Sequence, residues 1–126
     1  MARKKSSTLT DAELRLMNVV WQLGSATVSE VAENLGGDPP LHYSTVLTIL
    51  RILETKGYLK HRKEGRAFVY RAAVQREQER ERAVTHLLRR FFDGSAEMLM
   101  LSLVERKGVS TEELKRVRKR IAEEES

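Results

Sequence analysis

Residues 9–71 hold three short helix signatures, each with its own start and stop, followed directly by a Gly-turned hairpin signature. No other feature of the 126-residue chain restricts its fold as tightly. Thr10-x-x-Glu13 is a capping box: the hydroxyl accepts from the third helical amide, and the carboxylate accepts from the cap's own N–H. Leu9 and Leu14 flank it as a hydrophobic staple. Leu14, Leu16, Met17, Val20 and Trp21 form an apolar arc behind it, and Gly24 ends the helix. Asp11 and Glu13 read as first-turn helix acids. Thr27-x-x-Glu30 opens a second helix whose inner face is Val28, Val31, Ala32 and Leu35; Gly36-Gly37 stop it. Asp38-Pro39-Pro40 cannot be helix interior and makes the connection. A third helix runs from about Tyr43 to Lys56 and is closed by Gly57. At 100° per residue Val46, Ile49, Leu50 and Leu53 point one way. Ser44, Leu47, Thr48 and Arg51 point the other, with Thr45 and Ile52 on the flank.

After Gly57 the pattern changes to period two. Tyr58-Leu59-Lys60-His61-Arg62 and Ala67-Phe68-Val69-Tyr70-Arg71 flank the turn Lys63-Glu64-Gly65-Arg66, which is the pattern of a β-hairpin. Phe68 and Tyr70, at alternating positions, are expected in the core. Three short helices and a basic hairpin, in this order, are those of a winged helix-turn-helix, and residues 9–71 are expected to be one compact unit. Residues 56–71 carry Lys56, Lys60, Arg62, Lys63, Arg66 and Arg71 against Glu64 alone. By itself such a run is either a solvated surface or a seat for an anionic partner.

The remainder reads as helix. Arg76–Arg82 alternates in sign at i,i+3 spacing, as a solvated helix start does. Ala83/Val84, Leu87/Leu88 and Phe91/Phe92 then repeat every four residues; Asp93-Gly94 breaks the helix and Ser95 can cap the next. Met98–Val104 is apolar around the whole helix apart from Ser102, which implies burial on all sides. Ser110-x-x-Glu113 is a third capping box, with Val109 and Leu114 as its staple and Leu114, Val117 and Ile121 inside. Helices this apolar cannot bury themselves within so small a chain, and apolar surface of that extent usually marks an interface. The expected interface is with a second copy, in preference to a satellite core folded back on the winged helix, through Leu87, Leu88, Phe91, Phe92, Met98, Leu99, Leu101, Leu103, Leu114, Val117 and Ile121. The fold class is therefore mainly α with a small β-hairpin. Residues 1–8 form a basic N-terminal arm, 9–73 a winged helix, and 74–126 a helical dimerisation region. Arg3-Lys4-Lys5 serves either as an arm along DNA or as a solubilising terminus.

The outer face of the third helix has the chemistry of a reader of double-stranded DNA. Short hydroxyls and few long acids let a helix backbone sit deep in a major groove about 12 Å wide. Ser44, Thr45 and Thr48 can bond to base edges or phosphates, Leu47 suits thymine methyls, and Arg51 reaches phosphate or guanine. Tyr43 is placed to touch the backbone. A solvated helix face tolerates the same hydroxyls; the basic hairpin beside them is what favours DNA. There Lys60, Arg62, Lys63 and Arg66 would meet phosphates, positioning the protein without reading sequence.

Other chemistries find little support. The chain has no cysteine, so disulfides, zinc fingers, iron–sulfur clusters and thiol catalysis are excluded. His42, His61 and His86 are isolated, without metal-ligand spacing, and Gly36-Gly37 precedes proline instead of opening a helix as a phosphate loop would. No catalytic residue, metal or cofactor is expected, and the chain is not expected to be an enzyme. The basic start Met1–Lys5 is followed by no apolar segment of the signal-peptide kind, and no apolar run approaches the roughly 20 residues that span a bilayer. The expectation is a cytoplasmic protein without direct membrane binding. Charge is uneven: 11 basic and 7 acidic residues up to 74, then 12 and 11 beyond.

The run Tyr43-Ser44-Thr45-Val46-Leu47-Thr48-Ile49-Leu50-Arg51-Ile52-Leu53-Glu54-Thr55-Lys56-Gly57-Tyr58-Leu59 resembles the BlaI/MecI/CopY family of bacterial transcriptional repressors, the penicillinase repressor family. The resemblance continues through Leu9–Trp21, Thr27-Val28-Ser29-Glu30-Val31, Gly65-Arg66-Ala67-Phe68-Val69-Tyr70 and Leu101-Ser102-Leu103-Val104-Glu105. It implies a winged helix, a C-terminal dimerisation region, and a homodimer that represses transcription from a palindromic operator. In the antibiotic-responsive members a membrane sensor-protease triggers a cut at an Asn-Phe bond; the matching pair here is Ser102-Leu103. The copper branch uses C-terminal cysteines, which this chain lacks. On the residues, two other readings stay open. One is a winged-helix regulator that senses a small ligand in a pocket between its two regions, and the other a winged helix used only for protein–protein contacts.

Overall fold

A computed structural model describes residues 9–125; the expected arm at residues 1–8 lies outside the described residues. In chain order the elements are α1 (Asp11–Leu23), β1 (Ser25–Thr27), α2 (Val28–Leu35), α3 (Tyr43–Thr55), β2 (Leu59–Glu64), β3 (Ala67–Ala72), α4 (Arg76–Phe91), α5 (Ala96–Glu105) and α6 (Thr111–Glu125). They form two compact units, one ending at Ala83 and the other beginning at Val84, with the division inside α4.

In the first unit the local signals act where they were expected. Thr10 and Thr27 each accept from the amide three residues on, and Glu13 and Glu30 reach back to the cap N–H at 2.8 and 2.9 Å. Both reciprocal boxes are therefore closed, leaving fewer orphan amides in each first turn. Gly57, at φ 94°, follows the end of α3, where the Tyr58 N–H returns to the Leu53 carbonyl at 2.9 Å. Only a residue without Cβ takes that backbone shape cheaply.

α1, α2 and α3 pack on one another, with α1 against β3 and α3 against β2. Val46, Leu50 and Leu53 of α3 meet Leu16, Met17 and Val20 of α1 in one fully buried cluster. Tyr70 belongs to it, and Phe68 packs on its margin. Each fully buried aliphatic side chain of this kind contributes about 1.5–3 kcal/mol relative to leaving it in water.

Two features of this core differ from the sequence expectation. The sheet has three strands, in the order β1-β3-β2, and not the two of a hairpin. Ser25–Thr27 pairs antiparallel with Val69–Arg71 (Thr27 opposite Val69, Ser25 opposite Arg71), so β3 is central. Three residues are too few to display a period, which is why β1 left no pattern. In α1, Leu14 is 41% exposed while Glu13 is 5% exposed. The helix is thus rotated relative to the expected arc, because Glu13 has an inward partner in Lys56.

The second unit consists of the rest of α4 with α5 and α6. Asp93 and Gly94 both have positive φ, and the Gly94 N–H reaches the Leu88 carbonyl at 2.8 Å, ending α4. Ser95 then caps α5 through the Met98 amide, and Ser110 with Glu113 forms the third box. No residue of α4, α5 or α6 is buried. The all-round burial expected for Met98–Val104 is therefore not achieved within one chain: Met98, Met100, Leu101 and Val104 all stand exposed.

Candidate nucleic-acid interface

The polar face of α3 is presented outward because its opposite face is spent on the core. Tyr43, Ser44, Thr45, Thr48 and Arg51 are exposed. The Thr48 hydroxyl donates to the Ser44 carbonyl at 2.9 Å, so its proton is engaged and the oxygen keeps lone pairs to accept with. Leu47 departs from expectation: it is only partly exposed and packs against the core cluster, because its helix position lies between the inner and outer faces.

In the wing, Lys60, Arg62, Lys63 and Arg66 are exposed, but the strand register does not gather them on one surface. His61 lies opposite Tyr70 and Lys63 opposite Phe68, on the face turned to α3. Lys60 lies opposite Arg71 and Arg62 opposite Val69, on the other face. Arg62 is partly neutralised by Glu64, with its Nε 3.0 Å from the carboxylate. Lys60, Lys63 and Arg66 have no carboxylate partner among the described residues.

Three residues that sequence reasoning left out of the interface belong to its geometry. Arg71 sits across from Lys60 and extends that basic strip. His61 fastens the wing to α3: its Nδ1 lies 2.7 and 2.8 Å from the two Glu54 carboxylate oxygens, and its ring is 4.8 Å from Phe68 and 5.5 Å from Tyr70. Ser29 lines a cleft of about 250 Å³ where the start of α2, the start of α3 and the wing turn converge, together with Tyr43, Leu47, Arg66 and Phe68. The basic counts of the sequence contained Arg71, but pairings across strands and between elements left no signal.

The scaffold beneath is held by ionisable groups with shifted titration. Burial pushes the Glu13 carboxyl up, but the Lys56 ammonium and the Thr10 amide outweigh it and hold the group below its ordinary 4.5. Burial, with the Glu54 carboxylate nearby, raises the Tyr70 phenol above 10; burial and Glu79 do the same for Tyr58. Among the described residues no group of three or more His, Asp or Glu is placed to hold a metal, and no helix is long and apolar enough to cross a membrane.

The residues expected at a dimer interface all lie in the second unit. Phe91 is 66% and Leu101 52% exposed; Leu87, Met98, Val117 and Ile121 are also exposed, and Leu88, Phe92, Leu99, Leu103 and Leu114 are half-buried.

A helix with an outward hydroxyl face, backed by two further helices and flanked by a basic hairpin, defines a winged helix-turn-helix protein. The comparisons narrow this. The penicillinase repressor family model matches residues 9–123, and the chain belongs to that family. It is 34% identical over 111 residues to the penicillinase repressor of Bacillus licheniformis, covering 88% of this chain and 87% of that protein. It is 22% identical over 114 residues to the methicillin resistance regulatory protein MecI of Staphylococcus aureus, covering 90% and 93%. Among solved structures, the DNA-binding domain of the repressor BlaI is similar with a TM-score of 0.52 and 38% identity, covering 58% of this chain and 89% of that one. The family is one of transcriptional repressors, not enzymes.

Proposed function

We propose that this chain is a DNA-binding transcriptional repressor that acts as a homodimer on a two-fold symmetric operator. The observation that carries the reading is the exposed face of α3, with Ser44, Thr45, Thr48 and Arg51 beside the unpaired Lys63 and Arg66 of the wing. Each recognition helix would enter a major groove, the two lying on one side of the duplex about 34–36 Å, or a multiple of that, apart. Lys60, Arg62 and Arg71 would hold phosphate from the other face of the wing. The cleft between Ser29, Tyr43 and Arg66 offers room for the sugar-phosphate strand.

The exposed apolar surface of α4–α6 supports the second copy as partner. Joining two half-site binders raises affinity through effective concentration without new contacts to DNA. Release would follow from a cut at Ser102-Leu103 by a membrane sensor-protease, which would remove α6 and the end of α5.

Selection of bound fragments from genomic DNA by the purified protein, at about physiological ionic strength, tests the reading. A two-fold symmetric motif is the expected result. Fragment recovery without any common motif would overturn it and return the wing charges to a solubilising role.

A further inference from the structure

We propose that His61 and Glu54 are positioning residues for DNA reading: their bond holds the wing at a fixed angle to α3, so that phosphates gripped by the wing set the register of the reading helix. This role rests on the DNA-binding reading given above.

The need for such a tie follows from the sheet. β1 pairs with β3 only at Val69–Arg71, so the outer hairpin, with Lys63 opposite Phe68 and Glu64 opposite Ala67, extends past it. That outer part carries Lys63 and Arg66, both exposed. On its inner side the hairpin is bonded to α3 at one point. The His61 Nδ1 lies within hydrogen-bond distance of both Glu54 oxygens, and a carboxylate only accepts, so Nδ1 carries the hydrogen and donates. Among the described residues no other side chain of β2 or β3 forms a hydrogen bond or ion pair with α3. The imidazole rests against Phe68 and the buried Tyr70, which limits its rotation.

The tie stands back from the groove itself. Glu54 follows Thr48 by about 9 Å along the helix axis, at 1.5 Å per residue. Lys63 lies about 7 Å beyond His61 along β2. The bond therefore sits between the side chains proposed to read bases and those proposed to grip phosphate. Phosphate contacts fix register and orientation on the duplex without reading sequence. They pass that register to α3 only through a rigid connection. With the connection loosened, the same charges still attract any duplex, while the base contacts lose their alignment. The two side chains are 35% and 33% exposed, and an exposed pair of this sort adds little to stability. Its loss is therefore read in discrimination before it is read in folding.

The test measures the affinity of the intact protein for the operator recovered by fragment selection and for a scrambled duplex of equal length, and takes their ratio. His61→Ala and Glu54→Ala are each expected to lower the ratio at least about tenfold, chiefly through the operator. The double variant should lose no more than the weaker single one, because the same bond is removed in all three. His61→Asn should recover most of the ratio: its amide nitrogen has the reach of Nδ1, while the ring contacts stay lost. A ratio kept in either alanine variant, a loss that His61→Asn does not recover, or losses that multiply in the double variant overturns the assignment alone. A wild-type protein that does not discriminate overturns the DNA-reading role, and this one with it. If His61→Ala does not fold by circular dichroism, Glu54→Ala decides, with Glu54→Gln, which keeps an acceptor, as its rescue.

Discussion

Lys56 places its ammonium 2.7 and 2.9 Å from the two carboxylate oxygens of Glu13, tying the end of α3 to the first turn of α1 across 43 residues of sequence. Glu13 is thus shared between closing its own helix cap and fixing the angle at which α3 leaves the core. Lys56→Met would strand a buried carboxylate and is expected to cost about 3 kcal/mol in urea unfolding at neutral pH. Glu13→Gln keeps an acceptor for the cap and should cost about 1–2 kcal/mol.

The same pair predicts a pH dependence. Because the folded pKa of Glu13 lies below 4.5, its contribution is fully present above that value and disappears as pH falls through the lowered one. Unfolding free energies between pH 3 and 6 should converge for wild type and Glu13→Gln at the acid end. Curves that stay parallel would show that the pair adds nothing to stability.

In the proposed complex Thr48 would enter the groove as an acceptor, since its proton is committed to the Ser44 carbonyl. It should therefore favour the amino groups of adenine or cytosine. Thr48→Ala is expected to lower discrimination at one base pair per half-site by about 1–3 kcal/mol, read by competition gel shift with single-base operator variants. Unchanged discrimination would remove Thr48 from the reading set.

The proposed role of Lys63 is to meet phosphate, which carries no base information. Lys63→Ala should weaken all sequences alike and flatten the plot of log K against log salt by about 0.9 per protomer, from a slope near −7 if the dimer neutralises about eight phosphates. A loss confined to the operator would contradict this role.

Leu101→Asp places a charge where the second copy would pack. Sedimentation should show monomers, far-UV circular dichroism should be nearly unchanged, and operator affinity should fall by about 10²-fold or more. A dimer surviving this change and Phe91→Ser together would move the interface elsewhere.

Ser102 and Leu103 lie inside α5, half-buried, and their carbonyls accept from Arg106 and Gly108 at 3.2 and 2.9 Å. A protease must open this turn before it can cut. Co-expression with a cognate sensor-protease and inducer is expected to yield a fragment ending at Ser102 by intact mass; full-length chain alone would rule out this mode of release.

What the residues announced in advance was mostly what they settle locally. The boxes at Thr10, Thr27 and Ser110, the cap at Ser95 and the breaks at Gly57 and Gly94 each depend on neighbours within a few positions, and a capping preference leaves its mark in the order of residues. The outward set of α3 was legible for the same reason, through helical period. Leu47 was harder, because a position on the border of two faces is decided by what packs against it. The partners of Glu13, Trp21 and His61 lie outside their own elements, and β1 exists only because β3 arrives beside it. None of these has a local signature.

The three-stranded sheet has a consequence for the free protein. With β3 in the centre and β1 covering one side, β2 offers a free hydrogen-bonding edge, and its residues are Leu59, Lys60, His61, Arg62, Lys63 and Glu64. A bare edge of this kind invites another molecule to add a strand, and closely spaced like charges are a common defence. The side chains proposed to meet phosphate would therefore also keep unbound copies from sticking to one another through their wings. Neutral variants made to weaken DNA binding should be watched for loss of solubility as well as loss of affinity.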